Sequence, residues 1–192
     1  DLSHTQLYES DLENAILVGV NLASSNLCDY SPKHIGESFY HGGSIGIFSK
    51  VNLSNALFDK AELRNVDFQN VQLNNTRFLF ADLTDSNFTG MDLTTVNFSY
   101  ADLTGANLTS TVLLNKNIHD TILINSDLSN ANLSGVDLSG RDLTGTNLSG
   151  VDLSGRDLTG TNLSGVDLSQ HDLTNTILIN SDLSNANLSG VD

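Results

Sequence analysis

The chain has 192 residues, a formal net charge of −15 and 39% hydrophobic residues, with no Trp and only one Pro, one Met and one Cys. That charge argues against direct binding to nucleic-acid phosphates or to an anionic membrane surface, and the lone Cys28 excludes an internal disulfide framework. No apolar run approaches the roughly 18 residues that span a bilayer, and low residue variety with regularly placed apolar positions points to a repeat rather than to disorder.

The first stretch, residues 1–27, carries Leu2, Leu7, Leu12, Leu17, Leu22 and Leu27 at a spacing of five. The small or β-branched residues Thr5, Ser10, Ala15, Val20 and Ser25 precede the later centres by two. The phase is then lost. Leu27 to Leu53 is one residue more than five units, and residues 28–46 hold the only Pro, two of the four Tyr and two of the five His. This segment, with Tyr30, His34, Phe39, Tyr40 and His41, reads as an irregular insertion thrown out from the wall. Long irregular segments in compact domains are often functional, and two readings stand for it: a specific site, or a loop that merely covers the end of the core.

From Phe48 to Leu188 every fifth residue is apolar: 22 Leu, six Phe and Ile118. A mostly small or β-branched residue stands two before each centre, usually Asp or Asn one before, usually Ser or Thr one after, and then commonly Gly or Asn, as in Ala101-Asp102-Leu103-Thr104-Gly105. A helix wants apolar residues every three to four positions, so a period of five walks around its axis. On a straight strand, residues five apart face opposite ways. The two apolar positions inside one unit are two apart, as a strand requires. The consistent solution is a very short strand and a turn in each unit, with Asn or Gly at the turn because they tolerate positive φ.

The number of units per coil follows from the core residues. Centres alternate from Phe58 through Leu63, Phe68, Leu73, Phe78, Leu83, Phe88 and Leu93 to Phe98. Three sides per coil would stack Phe on Leu. Two sides enclose almost nothing. Four sides, 20 residues per coil, place Phe58, Phe78 and Phe98 in one interior column and Phe68 and Phe88 in the facing one.

With that unit and coil, the chain resembles the pentapeptide-repeat family, and the resemblance covers nearly all of it outside the insertion. It implies an all-β, right-handed quadrilateral β-helix of about nine coils. The expected organisation is one domain over residues 1–192, with offset coils in 1–27, the insertion in 28–46 and continuous repeats in 47–192. The chain starts at Asp1 and stops at Asp192 inside a motif, so it reads as a piece of a longer polypeptide, either cytoplasmic or the soluble part of a membrane protein.

No catalytic constellation is found, and neither a metal site nor a cofactor is expected. Ser, Thr and Asp are abundant because the repeat needs them, and the five His show no metal-ligand spacing. The expected function is that of a structural or protein-interaction domain. Residues 134–148 recur as 149–163, and 121–137 as 176–192. Offsets of 15 and 55 residues are not multiples of 20, so each copy lands on a different side of the square. Length, stiffness and charge are therefore the properties these duplications preserve.

Three surface features stand out. Glu62, Asp82, Asp102, Asp142 and Asp182 share one face, interrupted by Ile122 and Asn162. Residues 117–192 hold ten Asp and two basic residues. At ~4.8 Å per coil they span about 18 Å, over which DNA carries roughly 11 phosphates. A solvated acidic surface that keeps an edge-bearing repeat in solution accounts for the same residues and is the preferred reading. Phe80 and Tyr100, beside Leu79, are expected to stack on the outside, and Ile122 and Ile124 form a second apolar spot. Bulky residues occupy the inward small position at Met91, Lys116, Arg141, Arg156 and His171, and Arg141 and Arg156 are expected to turn toward solvent at the corners.

The family resemblance implies two kinds of partner. Some members bind DNA gyrase as acidic mimics of DNA. Others, with long near-uniform arrays like this one, are cyanobacterial and include membrane-anchored proteins that localise heterocyst glycolipid. A protein partner is expected in either case, and the open C-terminal edge offers end-to-end association.

Overall fold

A computed structural model describes residues 1–5, 16–17, 19–23, 50–116, 118 and 120–191. The insertion residues Tyr30, His34, Phe39, Tyr40 and His41 lie outside the described residues.

The fold is a right-handed four-sided β-helix. Its coils run parallel, and bridges join residues 20 apart: Glu62 to Asp82, Asp82 to Asp102, Asp102 to Ile122, and likewise on the other walls. Most wall residues before a centre donate to the coil below, as Asp82 N–H does to Ala61 O at 2.9 Å. Most centres donate to the coil above, as Leu83 N–H does to Asp102 O at 2.8 Å. Nearer the N-terminus the partners are 36 apart, Ile16 with Asn52 and Asn21 with Leu57.

Between walls the chain turns through a right angle by one repeated device. The centre carbonyl accepts from the N–H three residues on, as in Ala56 N–H to Leu53 O at 2.9 Å. Every fifth residue from Lys50 to Gly190 except Thr95 has positive φ, which makes these type II turns. Thr95 is the exception because a β-branched residue is a genuine outlier at positive φ. The consequence is local. Asn55 N–H donates to Asn74 O at 2.8 Å, but Asn75 N–H goes to the Thr95 hydroxyl at 3.0 Å, and Thr94 O accepts from Lys116 Nζ at 3.0 Å. Burial pushes the Lys116 amine below its usual range, against the attraction of Asp92.

The interior is filled by the centres and the small residues two before them. Phe58, Phe78 and Phe98 stack at 5.1 and 5.6 Å between ring centroids. Phe68 and Phe88 stack at 4.7 Å in the facing column. The two columns meet edge to face, with Phe78 5.5 Å from Phe68 and 6.4 Å from Phe88. Most hydroxyls at the small position are buried but bonded: Thr76, Thr121 and Thr161 each donate to the carbonyl 23 residues earlier, at 2.8–3.0 Å, whereas the buried Ser86 hydroxyl has no partner. His171 takes the same place, its Nε2 2.8 Å from Leu148 O.

Bridges are missing from the walls at several places. Among the described residues no bridge joins Gln72 to Asp92, Ile122 to Asp142 or Asp137 to Asp157, beside Met91, Arg141 and Arg156, nor Asn132 to Asp152 or Asn147 to Asp167, beside Val151 and Val166. Both arginines are half-exposed at corners. Arg141 Nε donates to Ser139 O at 3.1 Å, and Arg156 Nη1 to Val136 O at 3.2 Å. The two guanidinium groups leave the core and bind backbone carbonyls, so neither arginine buries its charge without a partner.

Candidate interaction surface

The outward rows are built from the residue before each centre. It is Asp or Asn so often because its side-chain oxygen accepts the N–H two residues on and stiffens the turn. Asp102 Oδ1 accepts from Thr104 N–H at 2.9 Å, and Asp92 Oδ1 from the Thr94 N–H at 3.0 Å and hydroxyl at 2.7 Å. Those bonds hold the carboxyls of Asp92, Asp152, Asp157, Asp167, Asp172 and Asp182 below the usual carboxylate range. The acidic side chains are thus structural as well as charged.

One wall carries Glu62, Asp82, Asp102 and Ile122 in a single bridged row. Phe80 and Tyr100 stand at the corner that leads into it, 50% and 49% exposed. Their rings stack at 4.7 Å with 18° between planes. Both have the left-handed backbone, φ 57° and 60°. Asn and Gly fill most such positions here, and an aromatic residue there costs on the order of 1 kcal/mol. The column continues to Lys60 below and Asp120 above. Ile122 is 41% exposed, one coil above Asp102, and Ile124 is half-buried at the far corner of that wall. The seven residues Phe80, Tyr100, Ile122, Ile124, Glu62, Asp82 and Asp102 therefore share one wall and its corners.

The copy of the isoleucine pair falls elsewhere. Ile177 bridges Asp157 on the preceding wall, whereas Ile122 bridges Asp102. Ile177 and Ile179 are 43% and 62% exposed, so the duplication makes a second apolar spot on a different side.

Sequence reasoning missed the ion pairs across coils. Arg64 Nε meets Asp82 Oδ2 at 2.5 Å, and Arg77 forks onto Asp59 at 2.8 and 2.6 Å, each 18 residues away. A spacing of 18 is the signal, legible once the coil is set at 20. Burial pushes the Asp82 carboxyl up, but the Thr84 hydroxyl and N–H and the Arg64 guanidinium together hold it below the usual range. Asp102, one coil up, has Thr84 where Asp82 has Arg64, and the Thr84 hydroxyl already donates to Asp82 at 2.5 Å.

Elsewhere the surface is plainer. A groove of about 570 Å³ runs past Gln69, Gln72, Thr89, Met91 and Asp92. Among the described residues no group of three His, Cys, Asp or Glu is placed to hold a metal ion, and no helix is long and apolar enough to cross a membrane.

Comparison with known proteins gives a family and a fold. A model described as a pentapeptide repeat region matches residues 46–118, and one described as pentapeptide repeats (8 copies) matches 1–29, 101–140, 121–160 and 157–192. No protein with a curated description matches. Among solved structures, HetL, a pentapeptide repeat protein involved in heterocyst differentiation regulation from Nostoc sp. strain PCC 7120, is similar at 21% identity and a TM-score of 0.52, over 100% of this chain and 90% of its own. QnrB1, a plasmid-mediated fluoroquinolone resistance protein, is similar at 19% identity and a TM-score of 0.42, over 97% of this chain and 82% of its own. Rfr23, a pentapeptide repeat protein from Cyanothece 51142, is similar at 20% identity and a TM-score of 0.33, over 88% and 90%.

Proposed function

The chain belongs to the pentapeptide-repeat family, and we propose that it serves as a non-catalytic interaction rod that docks a protein on the wall of Asp82 and Asp102 and the corner of Phe80 and Tyr100. One observation carries this reading. Two exposed aromatic rings are kept, stacked, in a backbone conformation that disfavours them. Neither core packing nor turn geometry asks for an aromatic there, and strain held at an exposed position is characteristic of a contact surface. The stiff parallel wall holds the patch in one shape, so binding loses little conformational entropy.

The wider setting is that of the soluble part of a membrane-anchored protein that localises glycolipid. The near-uniform Asp/Asn-Leu-Ser/Thr array supports it, through its resemblance to such members. The test of the docking reading is replacement of the native gene by one encoding Phe80→Asn and Tyr100→Asn. The reading expects the phenotype of a deletion with normal protein levels. Wild-type behaviour would remove it.

The alternative is an acidic mimic of DNA that engages a DNA-handling enzyme such as gyrase. Its support is the charge density of the C-terminal half, ten Asp against two basic residues over residues 117–192. A supercoiling assay separates the two. Inhibition of gyrase at micromolar protein supports mimicry, and unchanged supercoiling supports the docking rod.

A further inference from the structure

Resting on the docking reading, we propose that the corner of Phe80, Tyr100 and Asp102 receives an arginine side chain from a basic segment of the partner protein. The repeat itself supplies the comparison. Two neighbouring coils present the same acidic position on the same wall, bridged Asp82 to Asp102. At Asp82 an internal arginine, Arg64, meets the outer carboxylate oxygen. At Asp102 the equivalent residue is Thr84, which is too short and is already bound to Asp82. The Asp102 side chain accepts the Thr104 N–H on one oxygen and is in no ion pair among the described residues.

The stacked rings stand at the corner that leads into that wall. Tyr100 precedes Asp102 by two residues, round the corner, and Asp120 follows Tyr100 in the same column. A planar guanidinium lies well against an aromatic ring and forks onto a carboxylate. A lysine ammonium offers a point charge without the plane. The charge balance points the same way. The nearby cations are Lys60, Arg64 and Arg77. Arg64 and Arg77 are bound to Asp82 and Asp59, and Lys60 lies a coil below Phe80. Above Tyr100, Lys116 is turned onto Thr94 O. The acids Glu62 and Asp102 on the wall favour a cationic partner.

Labelled hexa-arginine, titrated by fluorescence anisotropy at 150 mM salt, tests this. Wild type is expected to bind at least tenfold tighter than Phe80→Asn/Tyr100→Asn and at least tenfold tighter than Asp102→Asn. Hexa-lysine is expected to bind more weakly and to be insensitive to the rings. These variants keep the fold, because Asn already stands at the turn in Asn55 and Asn75, bonded Nδ2 to Oδ1 at 3.3 Å, and before the centre in Asn87 and Asn107. Unchanged circular dichroism and melting confirm it. Equal hexa-arginine binding by wild type and the ring variant would overturn the proposal, since the peptide would be reading only net charge. A random dodecapeptide library, selected on wild type against the ring variant, separates the two failures. Ring-dependent clones without arginine overturn the arginine but leave the docking surface. A selection with no ring-dependent clone overturns both.

Discussion

Phe78→Ala perturbs the core where the four-sided coil makes its most specific statement. Phe78 is fully buried between Phe58 and Phe98 in one column and edge-on to Phe68 and Phe88 in the other. Losing the ring forfeits about 2 kcal/mol of transfer free energy. A residual cavity of roughly 100 Å³ at ~24 cal/mol per Å³ adds about 2.4 kcal/mol. The walls around it are hydrogen-bonded coil to coil and cannot close in, so the sum, about 4–5 kcal/mol, stands at the upper end of measured Phe→Ala costs. Urea unfolding followed by far-UV circular dichroism reads it, with the slope checked for constancy because repeat arrays can unfold in parts. Phe80→Ala, two residues away on the outside, serves as the comparison at roughly 1 kcal/mol or less. A Phe58→Ala/Phe78→Ala cycle adds the register, with an expected coupling of about 0.5–1.5 kcal/mol between residues 20 apart. A Phe78→Ala cost under about 2 kcal/mol, or equal to that of Phe80→Ala, would refute the reasoning.

Acid should weaken the rod. The carboxyls of Asp82, Asp92 and Asp127 have folded pKa values below their unfolded ones, so their contribution is present above the unfolded value of about 3.9 and is lost as pH falls through the folded values. Melting in 0.5 M salt, which screens long-range charge repulsion, should fall from pH 4 toward pH 2, and Thr94→Val, which removes a donor to Asp92, should lower stability at neutral pH and make that fall smaller. Gly135 sits at φ 72° with Asn115 Oδ1 2.0 Å from the place of a Cβ. Gly135→Val should cost roughly 2 kcal/mol or more, and Gly135→Asn under about 1 kcal/mol because the Asn side chain tolerates this backbone and Asn stacks on Asn elsewhere. Arg64→Ala should change stability by less than about 1 kcal/mol, since Arg64 is 56% exposed, as measured by chemical unfolding.

Much of the fold was legible because the constraints are local and repeated. The centres fix the unit, and the Phe–Leu alternation fixes four sides through the Phe58–Phe78–Phe98 column that the structure contains. The turn conformation followed from Asn and Gly, and Thr95 is where side-chain chemistry overrules the pattern. The exits of Arg141 and Arg156 followed from the cost of buried charge, but their carbonyl partners did not, because these depend on which wall bonds open. The stacking of Phe80 on Tyr100 was a consequence of the coil length. The pairing of Arg64 with Asp82 was not read, since it depends on side-chain reach between coils rather than on the unit. The role of Tyr30, His34, Phe39, Tyr40 and His41 stays with the sequence reading, as they lie outside the described residues.

The docking claim is tested most directly by placing a photo-crosslinking phenylalanine at Tyr100 in the native protein and, separately, at Asp152 on the opposite wall, then mapping crosslinked peptides by mass spectrometry. The account predicts one dominant protein product from position 100, joined at an arginine-bearing segment, and none of that product from position 152. Equal crosslinking from both walls, or none from position 100, would contradict it.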